Sequence, residues 1–151
     1  CPAMGINWIQ ASKYCRWAGK RLPREEEWEA AARGVTSFFY PWGEVFLPLR
    51  SNLLGEEDGY LFSAPVGSFQ SGSSASGVMD MAGNVWEWVD SKKSTRPQPE
   101  TRIVKGGGWT SDEKQARISF RNHVNLKMKN PTFGFRCAKS LLKEKRNRAE
   151  K

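Results

Sequence analysis

Residues 7–34 read NWIQASKYCRWAGKRLPREEEWEAAARG, and their spacing sets the expectation for the N-terminal half of the fold. Trp8, Ala11, Tyr14, Cys15 and Ala18 recur at three- and four-residue intervals behind Asn7, a residue type that caps helix N-termini. An amphipathic helix is expected from Trp8 to Ala18, ended by Gly19-Lys20. Pro23 then opens a second helix whose first turn holds Glu25, Glu26 and Glu27, the charge sign that a helix N-terminus favours. Gly34 is placed to stop it. Trp28, Ala31 and Ala32 are expected to face the core, the small side chains allowing close approach.

Beyond Gly34 the helical period disappears. Gly, Pro, Ser and Asn recur every few residues through Ala82, and 67–77 (GSFQSGSSASG) is the most loop-like part of the chain, since Gly and Ser favour flexible backbone over packing. Short pieces alternating large apolar with polar residues follow at Val85–Val89, Arg102–Lys105, Ile118–Arg121 and Phe133–Cys137, and each is expected to be a strand. A polar loop, DSKKSTRPQPET, spans Asp90–Thr101. Two early helices, irregular loops and late short strands make an α+β domain with high loop content. The strands are expected to be antiparallel.

Composition narrows the function classes. The 151 residues are 38% hydrophobic and 26% charged with seven Trp and eight Phe, too rich in large apolar side chains for a disordered or fibrous chain and enough for one core. No apolar run approaches the length of about 18 residues that a spanning helix needs, and the N-terminus lacks the layout of a signal peptide. The net charge of +8 is uneven. Half of it sits in 139–151, where six basic residues face Glu144 and Glu150, so that segment reads as a solvated tail on a domain of residues 1–138. No cationic stripe with interleaved aromatics supports nucleic-acid binding. Three cysteines (Cys1, Cys15, Cys137) and one histidine (His123) are too few for a structural zinc site or a His triad on iron. They allow one disulfide with a thiol left over. His123 is assigned no role.

Taken together, the segment 7–34 with YPWGE (40–44), APVGSF (64–69), GVMDMAGNVWEWVDS (77–91), RIVKGGGW (102–109) and GFRCA (134–138), in that order, resembles the formylglycine-generating enzyme or sulfatase-modifying factor family. The resemblance covers about Cys1 to Ala138. It implies a variant of the loop-rich C-type-lectin-like fold, and a Cys15–Cys137 disulfide. The N-terminal part of the family domain has no counterpart here, so this is expected to be a fragment of a longer protein or a shortened member.

The family's oxidase uses two cysteines to bind copper(I). Those positions match Ser111 and Ala116, neither of which supplies the soft thiolate that copper(I) selects. No catalytic residue is therefore assigned, and copper is not expected. Two calcium sites are implied by the same matching: Asn52, Leu53, Asp58 and Tyr60 for one, and Asp80, Gly83, Val85 and Glu87 for the other, with Leu53, Tyr60, Gly83 and Val85 offering only carbonyls. Loops that mix carbonyl, amide and carboxylate oxygens suit calcium. Trp86, Trp88 and Trp109 are read as core rather than as a ligand platform. The segment Ser111–Arg121 stands where the family presents its substrate surface, so Trp109, Ser111, Asp112, Glu113, Arg117 and Arg121 are the candidate ligand-binding residues, toward a protein, peptide or small acid.

The expected function is a non-catalytic binding or scaffolding domain stabilised by calcium. The rival is a diverged oxidoreductase of the formylglycine-generating or ergothioneine-synthesis type, with catalytic groups supplied from outside this chain. A disulfide and calcium together point to an extracytoplasmic or secretory location.

Overall fold

The computed structural model describes residues 1–91 and 100–140. The Asp90–Thr101 loop lies mostly, and the basic tail beyond Ser140 entirely, outside the described residues.

Helix α1 spans Trp8–Trp17 and α2 spans Glu25–Arg33. Asn7 Oδ1 accepts a hydrogen bond from Gln10 N (2.9 Å) while Gln10 Oε1 accepts from Asn7 N (3.2 Å), so two orphan donors of the first turn are satisfied reciprocally. The inward face of α1 is narrower than its periodicity suggests. Ala11 and Cys15 are fully buried, whereas Tyr14 and Ala18 lie exposed. In α2, Trp28 and Ala32 are buried, Ala31 packs half-buried beside them, and Gly34 ends the helix.

Four strands follow: β1 (Trp86–Trp88), β2 (Thr101–Lys105), β3 (Asn122–Asn125) and β4 (Phe133–Gly134). Their order is β3-β2-β1-β4. Two pairings are antiparallel, as expected, but β1 and β4 run parallel, with Trp86 opposite Phe133. The sheet is therefore mixed. The expected strand Ile118–Arg121 is a turn, and the third strand falls one step later on the polar sequence NHVN. Ile118 is buried beneath α2 rather than laddered, so its apolar character reports core and not strand.

Alternation along β1 and β2 aims successive side chains at opposite faces. Trp86, Trp88 and Val104 pack with Ala11 and Cys15 of α1, while Val89 and Ile103 pack with Trp28 and Ala32 of α2. The sheet thus lies between the two helices, and all of Val85–Val89 is buried. Trp86 and Trp88 belong to the core, as the sequence implied. A third cluster, Tyr40, Leu53, Ala82 and Ala116, ties the loops together.

The loops are built rather than loose. Within 67–77 a 3-10 turn at Gln70–Gly72 holds Gly72 so tightly that a Cβ there would sit 1.8 Å from Arg50 O, and Ser74 N donates to Val78 O at 2.9 Å. Glycine serves close backbone approach there, not flexibility. The disulfide Cys15–Cys137 joins α1 to the segment after β4, across a sequence separation of 122.

Candidate functional site

Gly106, Gly107 and Gly108 carry the chain from β2 into the loop that holds the two expected cysteine positions. A Cβ on Gly107 would lie 3.3 Å from Ser111 Cβ and 3.4 Å from Ala116 Cα, so residues 111 and 116 converge on one point. Nothing reactive stands there. Ser111 is 1% exposed, and its Oγ accepts from Gly108 N at 3.0 Å while its own N donates to Gly108 O at 2.8 Å. Ala116 is fully buried. The expectation that Ser111 presents itself to a ligand is corrected: its hydroxyl is spent closing a turn. The one free thiol among the described residues is Cys1.

The remaining candidates of this segment diverge. Asp112 Oδ1 accepts from Gln115 N (2.9 Å) and Gln115 Oε1 accepts from Asp112 N (3.2 Å), a local clasp that leaves Asp112 and Glu113 exposed. Arg117 lies over the Phe39 ring, 5.3 Å from its centroid, and reaches Tyr40 Oη at 3.5 Å, a contact that holds the guanidinium above its ordinary value. Arg121 turns away to Glu25 of α2. Trp109 is half-buried, with its backbone N–H on Asn84 O. Asp112, Glu113 and Arg117 thus stay exposed and Trp109 half-buried, while Arg121 serves the α2 cluster.

Sequence reading passed over the centre of that cluster. The Lys105 side chain is fully buried, 2.7 Å from Glu29 and 3.8 Å from Glu25, and burial lowers its pKa against the pull of both carboxylates. Lys105 closes the alternating strand RIVK, a position that reads as an exposed end. Only α2 packing over β2 reveals the burial.

The two calcium sets fare differently as ligand sets. Asn52 is fully buried; its Nδ2 donates to Phe62 O (2.7 Å), but Oδ1 has no hydrogen-bond partner, and neither has the neighbouring Ser51 Oγ. A buried amide oxygen without a partner is costly unless something fills the gap. Asp58 Oδ1 accepts from Tyr60 N at 2.9 Å, which folds the loop so that Ser51, Leu53 and Asp58 line one cavity of about 290 Å³. Of this set Leu53 and Asp58 line the cavity while Asn52 and Tyr60 do not, and the unpartnered Asn52 oxygen is a donor of the kind a hard cation takes. In the second set Gly83 approaches Asn52 closely (a Cβ would lie 2.3 Å from Asn52 O) and Asp80 Oδ2 accepts from Gly67 N at 2.8 Å. Glu87, however, accepts from Trp28 Nε1 (2.7 Å) and from Arg136 through both oxygens (2.6 and 2.8 Å). Arg136 Nη2 also donates to Met79 O and Asp80 O. A guanidinium therefore already neutralises the carboxylate, and the second set does not fit calcium. Among the described residues no three His, Cys, Asp or Glu side chains converge on a metal, so a cation would depend on amide and carbonyl oxygens.

The profile of the sulfatase-modifying factor enzyme 1-like domain matches residues 1–141. This chain belongs to the sulfatase-modifying factor family. A relative in Bos taurus described as inactive Cα-formylglycine-generating enzyme 2 is 39% identical over 152 residues, covering 91% of this chain and 50% of the bovine protein. The formylglycine-generating enzyme of Streptomyces coelicolor is 33% identical over 165 residues, covering 91% of this chain and 52% of that protein. Among solved structures, PvdO from Pseudomonas aeruginosa superposes with a TM-score of 0.77 at 29% identity, over 93% of this chain and 62% of PvdO. The chain spans about half the length of these two curated relatives. Family membership and the α+β frame are thereby established, together with the disulfide seen in the structure. No helix among the described residues is long and apolar enough to cross a membrane.

Proposed function

We propose that this chain is a non-catalytic binding or scaffolding domain of the sulfatase-modifying factor family. The observation that carries the reading is the pair Ser111 and Ala116, where one hydroxyl locked onto Gly108 N and one methyl group replace two thiolates at the convergence point. Copper(I) finds no soft ligand there. The inactive bovine relative at 39% identity supports the same reading. The exposed residues Asp112, Glu113 and Arg117 beside Trp109 would meet a protein, peptide or small acid, and the disulfide favours an oxidising, extracytoplasmic setting. Calcium at Asn52, Asp58 and the carbonyls of Leu53 and Tyr60 would hold the loops, because Asn52 Oδ1 lacks any other partner.

The rival reading, a diverged oxidoreductase, draws on the 33% identity with the Streptomyces coelicolor enzyme and on the half-length coverage. One assay tests the non-catalytic reading. The folded chain is incubated with copper(I), oxygen and a sulfatase-type cysteine peptide, and the peptide is followed by mass spectrometry. The cysteine is expected to remain unconverted; its conversion to formylglycine would overturn the non-catalytic reading.

A further inference from the structure

Residues 1–24 and 114–140 contain no Asp or Glu, and the fold brings these two stretches together. The Cys15–Cys137 disulfide, the Arg21–Ala138 bridge and the hydrogen bond from Trp8 N to Leu126 O (3.2 Å) all join them. Some of their cations are neutralised from elsewhere: Arg21 and Arg24 by Glu27, Arg121 by Glu25, Arg136 by Glu87. Lys13, Arg16, Lys20 and Lys139 are not. All four are exposed, and none forms an ion pair with a described residue.

A cavity of about 630 Å³ opens on this acid-free side, walled by Ile6, Gln10, Tyr14, Phe135 and Cys137, with Lys20 at its rim. That is the size range of sites that bury a compact ligand group. Its aromatic wall continues outward. Tyr14 packs edge-on against Phe135 (5.5 Å between centroids) and at a tilt against Trp17 (5.7 Å), yet Tyr14 is 54% and Trp17 81% exposed. Neither ring is needed by the core, which α1 reaches through Ala11 and Cys15. An exposed aromatic pair beside an apolar cavity is the composition of an interface anchor rather than of ordinary surface.

We propose that this face binds an acidic peptide segment, with one aromatic or aliphatic side chain in the Tyr14–Phe135 cavity and flanking carboxylates on Lys13, Arg16, Lys20 and Lys139. The charge pattern selects the occupant. A face whose two stretches supply exposed cations and no carboxylate, with Lys20 at the cavity rim, attracts anions and repels basic partners, and an apolar cavity rewards a buried side chain that a bare polyanion lacks. The site is separate from the Trp109–Arg117 face and independent of calcium and of the oxidase question, so its failure would leave the preceding section untouched.

The test uses the full chain and fluorescein-labelled decapeptides carrying a single Phe or Leu between runs of Glu and Asp, followed by anisotropy and by ¹⁵N chemical shifts. Saturable binding is expected, with shifts at Gln10, Tyr14, Lys20 and Phe135. Affinity should fall about tenfold or more for Lys20→Glu, for Tyr14→Ala, and for a peptide with Ala in place of its Phe. Tyr14 and Lys20 are exposed, so both variants are expected to fold, as far-ultraviolet circular dichroism would verify. Added salt should weaken binding without abolishing it. Absence of saturable binding would overturn the proposal, as would equal binding by the Phe-free peptide. Tighter capture of an oligonucleotide through the same shifts would reassign the face to nucleic acid. A self-associated chain dispersed by Trp17→Ala would reassign it to a second copy.

Discussion

Glu87 receives Trp28 Nε1 from α2 on one side and Arg136 from beyond β4 on the other, at 5% exposure. Burial disfavours the Arg136 charge, but the attraction of Glu87, with Asp80 behind it, outweighs that and holds the guanidinium above its ordinary pKa. Removing one member of a buried pair costs more than removing both, because the survivor is left charged and unpaired. Glu87→Gln should therefore destabilise by about 3 kcal/mol in urea titration, and Glu87→Met with Arg136→Met should recover part of the loss. A single-variant loss below about 1 kcal/mol, typical of an exposed pair, would contradict the buried-pair account. The resemblance singles out Glu87 as a calcium ligand, whereas in the structure its carboxylate is held by Arg136 and Trp28. Arg136, 49 residues away, is brought in only by β4 pairing parallel to β1.

The run Glu25–Glu27 reads from sequence as a complement to the helix dipole, and each member acquires a distinct task at the scale of the element. Glu25 meets Arg121, Glu26 stays exposed, and Glu27 binds Arg21 (2.5 and 2.8 Å) while accepting from Arg24 N at 2.9 Å. The Arg21 hydrogen bonds, reinforced by Arg24, bring the Glu27 carboxyl from 4.5 to about 2 against the opposing effect of burial. A carboxyl depressed on folding stabilises above its unfolded pKa, and that stabilisation is lost as pH falls through the folded one. The pH-dependent contribution should therefore be full near neutrality and disappear between about pH 4.5 and 2. Partial exposure and solvent screening reduce its size to on the order of 1–2 kcal/mol. Glu27→Gln should lower neutral-pH stability by that amount and flatten the acid limb of the stability profile. An unchanged profile would remove Glu27 from this role. Strand position was the harder reading at this scale: Ile118 and Phe120 gave a turn segment an alternating pattern, while β3 carries only Val124 as a buried apolar residue.

Across the whole molecule, a few helices and short strands leave the loops to be held by three apolar clusters, one disulfide and the ion pairs around α2. Closing a loop of this length by a disulfide contributes about 4–5 kcal/mol in the chain-entropy account. Asn52 Oδ1 and Ser51 Oγ are both left without a hydrogen-bond partner, and Ser51 lines the cavity that Glu57 and Asp58 also line. If calcium binds there, a hundredfold excess over Kd should add about 2.7 kcal/mol and raise Tm by several degrees in calorimetry. Chelator should reverse the rise, and Asp58→Asn should abolish it while Asp80→Asn leaves it intact. A melt insensitive to chelator would remove calcium from the account.

Residue order alone determined the two helices with the Asn7 cap and the Gly34 stop, the Trp86 and Trp88 core and the family, because these depend on local spacing and on ordered motifs. Tertiary structure alone decided that Ser111 is buried, that Lys105 is an interior cation, that Glu87 answers the half-buried Arg136, and that Tyr14 and Trp17 stand exposed on an acid-free face. Burial and charge pairing depend on which distant segments pack together, and α2 over β2 and β4 beside β1 bring those segments into contact only when the chain folds.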